Sequence, residues 1–169
     1  SLLHECRSRL TTVGALHRLL SEQPCSRMDF GVYLRELAPT LVNCLASQGS
    51  VRLDCRGIEP GNVIAADDAL PLALAVAELI TNAIKYAHPG GTSGRLWLGC
   101  RTTESGSFVV TVSDDGVGLP EGFVPGDGSS LGFRTVRSLM RQIGATISFE
   151  TDSLGLSITL TLPPRGRRQ

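Results

Sequence analysis

The chain has 169 residues, of which 41% are apolar and 19% charged, and its 16 basic side chains balance 16 acidic ones. This length and composition predict one soluble globular domain with a real core, and zero net charge argues against bulk electrostatic binding to nucleic acid or a membrane surface. Five cysteines without a CxxC pair argue against a disulfide framework or zinc site and favour a reducing cytoplasm.

The N-terminal third predicts two helices and one or two strands. Apolar residues at three- and four-residue steps indicate an amphipathic helix in residues 1–22. A second helix starts after Asp29, a plausible N-cap, and contains Pro39, which should kink it or mark a new start. A short strand follows over Val51–Cys55, and NVIAA is either another strand or the approach to the next helix.

The middle of the chain predicts one long helix and a pair of strands. Asp67 or Asp68 should cap the helix, which runs to about Ala87 before the helix-stopping sequence HPGG. No apolar run here or elsewhere reaches the length expected of a membrane span. Two strands, about Arg95–Thr102 and Phe108–Asp114, are joined by the turn ESGS.

The last third combines a glycine-rich segment with a helix and a hairpin. Residues 115–130 are rich in glycine and proline and should be irregular, while Leu131–Ile143 indicates a helix. ATISFET and LSITLTLP close the chain as two paired strands. The order of elements predicts an α/β (α+β) two-layer sandwich, in which a mixed, largely antiparallel sheet is covered by helices on one face.

The long helix carries polar residues in the sequence ELITNAIKYAH. Glu78, Asn82 and Lys85 lie at i, i+4 and i+7, so they share one face of an otherwise apolar helix, and Lys85 is the only lysine in the chain. A ligand would explain the set, because an amide oxygen suits Mg²⁺, an ammonium suits phosphate, and a carboxylate can orient or deprotonate a hydroxyl. A solvated stripe with an internal Glu–Lys pair explains it equally well.

The sequence VSDDGVGLP follows a strand. Asp114 keeps the parity of the apolar residues, so its carboxylate should point inward, where the amino group of a ligand would satisfy it. Gly116 and Gly118 allow tight turns and close approach of the backbone to a ligand. Taken alone, the DxGxG pattern is better explained by an ordinary turn after a strand.

A third glycine pattern, GSSLGFRTVRSL, opens a helix. Gly128 and Gly132 flank the helix start, where backbone N–H groups attract phosphate. An ordinary helix start capped by Ser129 or Ser130 is the alternative explanation.

The three motifs in this order resemble the ATP-binding domain of the GHKL superfamily, which comprises histidine kinases, gyrase, Hsp90-type chaperones and MutL. ELITNAIKYAH resembles its N box, DDGVG its first glycine box and GSSLG its second, over about residues 29–164. The glutamate that opens the N box, and the sequence VRSLMRQIGATI, resemble sensor histidine kinases of the HWE/HisKA_2 type. The resemblance implies a Bergerat-type ATP-binding fold with an N-terminal helical extension.

The resemblance also implies roles for the polar side chains. Asn82 would hold Mg²⁺, and Lys85 would contact phosphate. Asp114 would bind the adenine amino group of ATP. Glu78 would lie near the γ-phosphate as a general base or orienting group.

Backbone positions complete the nucleotide site that the resemblance implies. Gly116, Gly118, Leu131 and Gly132 would shape the loops around ATP, and Pro120–Ser130 would form the ATP lid. No clear phenylalanine-rich box lies between the glycine boxes, so the length and order of this lid are open.

Two histidines bear on where the phosphoacceptor of such a kinase would lie. His4, in HECRSRLT, resembles an HExxT acceptor pattern, in which Glu5 would assist proton transfer. RLTTVGALHRLL better resembles the end of a second dimerisation helix with His17 at the usual histidine of that family, because too few residues follow for another helix before the catalytic domain. We therefore expect no acceptor in the chain, and an acceptor upstream of it.

These expectations describe a histidine kinase fragment. Residues 1–22 would be the remnant of a dimerisation helix, 29–164 the Mg-ATP-binding catalytic domain, and 165–169 a basic tail. The partners would be upstream dimerisation and sensor domains, a second copy of the chain through the N-terminal helices, and a response regulator, all cytoplasmic and without nucleic acid. A serine kinase of the anti-sigma-factor type and a non-catalytic scaffold with a decayed nucleotide site are the alternatives.

Overall fold

The structure, a computed structural model, describes Leu10, Gly14 and residues 26–46, 51–87, 93–119, 131–152 and 155–167. It confirms the predicted fold class, because a five-stranded mixed sheet packs against helices in two layers. His4, His17 and the Pro120–Ser130 segment lie outside the described residues.

Among the described residues, seven strands form two sheets. In chain order they are β1 (Arg27–Asp29), β2 (Val51–Ile58), β3 (Val63–Ala65), β4 (Gly94–Thr102), β5 (Phe108–Asp114), β6 (Thr146–Asp152) and β7 (Gly155–Leu162). The main sheet has the order β2-β4-β5-β7-β6, in which β2 runs parallel to β4 and all other pairs are antiparallel. β1 and β3 pair separately as an antiparallel two-stranded sheet.

In the ranges that the structure describes from residue 26 onward, three helices pack on one face of the main sheet. They are α1 (Phe30–Leu45), α2 (Ala66–Tyr86) and α3 (Leu131–Gln142), and a short 3₁₀ turn, Arg165–Arg167, follows β7. α2 lies in the centre, in contact with α1, α3 and β5. It is long and apolar enough by composition to cross a membrane, which was not expected from sequence, but 61% of its apolar window is buried inside the fold. Such burial is typical of a core helix.

The core lies between the helices and the inward face of the sheet. Alternate residues of the three central strands point toward the helices and are buried: Leu96, Leu98, Cys100, Val110, Val112, Ile158 and Leu160. Each buried aliphatic side chain contributes about 1.5–3 kcal/mol through removal of apolar surface from water. Burial also raises the pKa of the Cys100 thiol to about 12, because the charged thiolate is poorly solvated there.

The predicted N-cap of α1 is confirmed, whereas one of the two predictions for Pro39, that a new helix starts there, is wrong. Asp29 Oδ1 accepts a hydrogen bond of 3.1 Å from the backbone N–H of Val32. Pro39 does not start a new helix, because α1 continues through it to Leu45. The buried stripe on either side of Pro39, which includes Leu37 and Leu41, stabilises the helix across the missing backbone donor.

The predicted cap of α2 by Asp67 or Asp68 is wrong. The helix begins at Ala66, directly after β3, and its cap residue Ala65 makes no side-chain hydrogen bond. Both aspartates lie in the first turn instead, where carboxylates interact favourably with the helix dipole. Arg165, which the sequence placed in the basic tail, lies 3.3 Å from Asp67 and 3.5 Å from Asp68 and so joins the chain end to this turn.

β2 is longer than the predicted Val51–Cys55 strand. It continues to Ile58 after a register shift between Asp54 and Gly57 in its pairing with β4. A bulge of this kind interrupts the alternation of apolar and polar side chains, so the sequence pattern ends before the strand does. β1 was not expected at all, because three residues are too few to show a period.

Candidate functional site

The polar face of α2 is built into the core side of the domain. Glu78 is 8% exposed and Asn82 is half-buried. The buried Thr81, three residues after Glu78, donates its hydroxyl to the carbonyl of Ala77 at 2.7 Å in the same helix. The Asn82 amide nitrogen is buried and has no hydrogen-bond partner within the described part of the chain. A buried amide N–H without a hydrogen-bond acceptor destabilises the fold, so a ligand or water is expected to accept from it.

The start of α3 lies against this polar face. A Cβ atom added at Gly132 would lie 3.2 Å from Asn82 Nδ2, 3.3 Å from Asn82 Oδ1 and 3.4 Å from Glu78 Oε2. The second glycine motif and the polar helix face, 50 residues apart in sequence, are therefore neighbours. The backbone N–H groups of the first turn of α3 carry the partial positive charge of a helix N-terminus, which favours an anion at this place.

The first glycine motif closes the other end of the site. Asp114 ends β5, is half-buried, and its Oδ1 accepts from the Gly116 N–H at 3.0 Å. A Cβ at Gly116 would lie 2.2 Å from the Ala87 carbonyl oxygen, so a side chain has no room there. Val117 N–H donates to that same carbonyl at 2.9 Å. The DDGVG turn therefore packs on the C-terminal end of α2, and Gly118 continues it with a φ of 69°.

A cavity of about 360 Å³ lies between these motifs and the inner face of the sheet. It is lined by Leu79, Asn82, Ala83, Tyr86, Ala87, Val112, Asp114, Val117, Gly118, Leu119, Phe133, Leu156 and Ile158. The walls are mainly apolar, and Asn82 and Asp114 add polar groups at separate positions. An apolar cavity of this size with a few placed polar groups is typical of a binding site for a small molecule.

The roles predicted for two site residues, Lys85 and Leu131, are not tested by the structure. Lys85 is half-buried on α2 and is not among the residues that line the cavity. Leu131 begins α3, and its side chain lies outside the described part of the structure. Glu78 and Gly132 do not line the cavity either, but they contact each other beside it.

Sequence reasoning missed most of the cavity wall. Leu156 and Ile158 belong to β7, and Phe133 is the third residue of α3. The period-2 alternation of LSITLTLP shows which residues of β7 face inward, but the pairing of β7 with β5 puts them beside Asp114. Phe133 is held by an edge-on contact with Phe149 of β6, with ring centroids 5.7 Å apart.

A threonine hydroxyl also ties the cavity margin to the β6–β7 hairpin. Leu119 lines the cavity, and its N–H donates to Thr151 Oγ1 at 3.1 Å. Thr151 Oγ1 in turn donates to the Gly155 carbonyl at 3.3 Å. The last described residue before the predicted lid is therefore anchored to a neighbouring strand pair.

Metal binding at this site would depend on very few protein ligands. No group of three or more His, Cys, Asp or Glu side chains suited to a metal ion occurs among the described residues. Asn82 supplies a single amide oxygen. This donor set fits Mg²⁺ that arrives with a nucleotide, because Mg²⁺ commonly takes one or two protein ligands and completes its shell with phosphate and water.

Comparison with known proteins agrees with the site. The profile of the family described as "Histidine kinase-, DNA gyrase B-, and HSP90-like ATPase" matches residues 67–166. The fold and site thus define a nucleotide-binding domain of the ATPase class. The chain belongs to this family of histidine kinase-, gyrase B- and HSP90-like ATPases.

Particular relatives are sensor kinases. Blue-light-activated histidine kinase 2 of Erythrobacter litoralis is 28% identical over 137 residues, which are 80% of this chain and 38% of that protein. Sensor histidine kinase PdtaS of Mycolicibacterium smegmatis is 30% identical over 174 aligned positions, which cover 98% of this chain and 33% of that protein. The chain therefore spans 38% and 33% of the length of these two relatives.

The solved structures agree on the fold. The histidine kinase domain of the Erythrobacter litoralis EL346 blue-light activated histidine kinase matches with a TM-score of 0.83 and 23% identity, over 94% of this chain and 74% of that one. Neither alternative from the sequence, the anti-sigma-type serine kinase or the decayed scaffold, gains support from these comparisons over the histidine kinase interpretation.

Proposed function

We propose that this chain is the Mg-ATP-binding catalytic domain of a two-component sensor histidine kinase, which transfers the ATP γ-phosphoryl group to a histidine on a neighbouring dimerisation domain. The observation that carries the proposal is the contact of Gly132, at the start of α3, with Asn82 and Glu78. It joins an anion-favouring helix start to a polar helix face at one end of an apolar cavity, and Asp114 lies in the wall of that cavity.

The phosphate end of the site would be formed by α2 and α3. Asn82 would hold Mg²⁺ through its amide oxygen, and its buried amide nitrogen, a donor without a partner in the described chain, would donate to a phosphate oxygen. The backbone at Leu131 and Gly132 would bind phosphate oxygens at the α3 N-terminus. Lys85, three residues after Asn82 on α2, would add a compact positive charge near them.

The base end would be formed by the DDGVG turn. Asp114 would accept a hydrogen bond from the adenine amino group, while Gly116 and Gly118 keep the turn flat against the end of α2. The apolar walls from Phe133 and Ile158 would pack on the two faces of the base. This division of the cavity favours a nucleotide over a phosphate ion alone.

In the transfer step the bond between the γ-phosphorus and the β,γ-bridging oxygen breaks, and a bond from phosphorus to an imidazole nitrogen forms. ADP leaves with the bridging oxygen, and the imidazole proton passes to a base. Mg²⁺, when bound, would neutralise charge on the phosphates. Glu78 would accept the proton or orient the imidazole from its buried place beside Gly132. Positioning and charge neutralisation supply most of the catalysis in phosphoryl transfer.

The rest of the kinase would lie outside the catalytic domain. Residues 1–22 would be the end of a dimerisation helix that pairs with a second copy, and the favoured acceptor histidine would lie upstream, with His4 as the weaker candidate. Sensor domains and a response regulator would be the functional partners, in the cytoplasm. The names of the two relatives and their greater length support this arrangement.

Nucleotide titration tests the proposal directly. Isothermal titration calorimetry of the 169-residue chain should detect Mg-ATP and ADP binding. Asp114→Ala should weaken it about 10- to 100-fold, because a hydrogen bond to a charged group contributes about 1.5–3 kcal/mol. Glu104→Ala, which removes an exposed carboxylate in the β4–β5 turn, is the matched control and should bind normally. Absence of ATP and ADP binding at millimolar concentration would contradict the proposal.

A second measurement concerns the acceptor. The chain incubated with γ-labelled ATP should gain no acid-labile label, whereas the longer protein that contains the upstream helix should gain it on histidine. Label on His4 of the chain itself would move the acceptor into these 169 residues. Acid-stable label on serine of a partner would favour the anti-sigma-type kinase instead.

A further inference from the structure

A pair of arginines lies on the sheet face that the helices leave open. Arg52 of β2 and Arg95 of β4 are directly opposed in the parallel pairing of these strands, and both side chains are exposed. Within the described part of the chain neither forms an ion pair. Like charges on opposed positions of neighbouring strands destabilise a sheet, so this arrangement is unfavourable unless an anion binds between them.

Two carboxylates close to the pair already have donors. Asp115 Oδ1 accepts a hydrogen bond of 2.7 Å from the Arg95 backbone N–H, and Asp54 is paired with Arg56. Asp54 lies two residues after Arg52, and its Oδ2 is 2.5 Å from the Arg56 guanidinium. A second hydrogen bond of 3.0 Å joins Arg56 Nε to Asp54 Oδ1. The hydrogen bonds to Arg56, with a smaller contribution from the charge of Arg95, lower the pKa of Asp54 to about 2, so Asp54 is charged at neutral pH. Within the described residues Arg52 and Arg95 make no ion pair of their own, so both guanidinium groups are able to bind an acidic partner.

An exposed aromatic ring lies beside the pair. Trp97, the only tryptophan in the chain, is 36% exposed and follows Arg95 on the same face of β4. Next to its ring the face is formed by Gly57 and Gly99, where a Cβ on Gly99 would lie 3.1 Å from the Gly57 carbonyl oxygen. These two glycines line a shallow depression of about 540 Å³ on one side of the indole. A second depression of about 520 Å³, lined by Arg52 and Arg95, also borders the indole.

We propose that this arginine–tryptophan face, defined by Arg52, Arg95 and Trp97, docks an acidic segment of a partner protein that carries an aromatic or apolar side chain. Arginine forks bind carboxylates in a bidentate way, and tryptophan and arginine are the residues that most often dominate protein interfaces. A polyanion such as nucleic acid fits less well, because Asp54 lies within the face and the chain has no net charge.

The face and the nucleotide cavity lie on opposite sides of the sheet, and the Arg95 backbone N–H donates to Asp115 of the DDGVG turn between them. The cavity is lined by inward residues of the sheet such as Val112 and Ile158, whereas Arg95 and Trp97 point to the opposite side of β4. The acidic partner and a nucleotide are therefore able to bind at the same time, and the test below needs no ATP.

Fluorescence of Trp97 reports directly on this face, because the chain has no other tryptophan. The probe is the capped peptide EDFED, titrated into the 169-residue chain at low salt, with the charge-reversed peptide KRFRK as its control. We expect a saturable change with EDFED and none with KRFRK. The double variant Arg52→Gln with Arg95→Gln should weaken binding at least about tenfold. Arg101→Gln, an exposed arginine of β4 outside the depressions, should bind like the wild type.

Stability provides a second readout that separates function from folding. Arg52→Gln alone should raise the melting temperature, because it removes the opposed like charges, even as it weakens EDFED binding. The proposal is overturned if EDFED causes no change, if KRFRK or the double variant binds equally well, or if Arg52→Gln lowers the melting temperature. Tighter binding of single-stranded oligothymidine or of phosphatidylserine vesicles than of EDFED overturns it in favour of nucleic acid or membrane.

Discussion

Gly132→Ala is the sharpest test of the proposed phosphate end, because it adds one carbon atom at the contact between two motifs. The new Cβ would lie 3.2–3.3 Å from the Asn82 amide and 3.4 Å from Glu78 Oε2. These separations are a few tenths of an ångström shorter than comfortable contacts between carbon and polar atoms. The amide side chain can rotate, whereas the α3 backbone is held by its packing, so Asn82 should move.

The effect on stability should be small. Crowding of this degree costs at most about 1–3 kcal/mol, and an alanine in a helix gains roughly 0.5–1 kcal/mol over glycine. The two terms oppose each other, so the melting temperature should change little. Ligand binding should change far more, because loss of correct orientation in a metal-ligating group typically lowers metal affinity about 10- to 100-fold.

Calorimetry of Mg-ATP binding and a thermal melt of the same sample measure the two effects separately. Gly166→Ala is the matched control, because a Cβ at that glycine meets no atom within 4 Å. We expect Gly132→Ala to melt close to the wild type and to bind Mg-ATP at least about tenfold more weakly, which corresponds to about 1.4 kcal/mol. Mg-ATP affinity within twofold of the control would show that Asn82 is not a ligand at this site.

Three further predictions follow from single contacts. Thr151→Val removes the hydroxyl that binds Leu119, so Mg-ATP affinity should fall about fivefold and Thr151→Ser should restore it; equal affinity of the valine variant would exclude a positioning role. Gly116→Ala forces a Cβ to within 2.2 Å of the Ala87 carbonyl, and denaturant unfolding should show a loss of at least about 2 kcal/mol, so a smaller loss would mean that the turn relaxes freely. Since the pKa of Cys100 is raised from 9.0 to about 12, the unfolded thiol ionises first, and the unfolding free energy should fall as pH rises from 9.0 toward 12 more steeply than in Cys100→Ala; parallel curves would refute this.

The sequence predicted most of the fold because its periods are long and regular. The strands Phe108–Asp114 and Gly155–Leu162 alternate cleanly, since one face packs on helices and the other meets solvent. The errors fall where local chemistry competes with tertiary contacts. Aspartate commonly caps helices, which is why Asp68 was a candidate. The chain enters α2 directly from β3, however, so the helix starts before Asp68. Ala66 N–H donates instead to the Ser26 carbonyl, a contact with no sequence signal.

The candidate site was predictable in its motifs but not in its walls. Glycines mark places where another part of the chain comes close to the backbone. Two of them are explained in this way: Gly116 lies against Ala87, and Gly132 lies against the Asn82 side chain. Apolar residues carry no such mark: Phe133 has the same pattern as any core residue of an amphipathic helix, and only the position of α3 makes it a cavity wall. Lys85 is the opposite case, a residue that the sequence singled out but that does not line the cavity. Its uniqueness in the composition suggested a phosphate ligand, yet it lies outside the cavity lining, so its role depends on where the phosphates extend beyond that cavity.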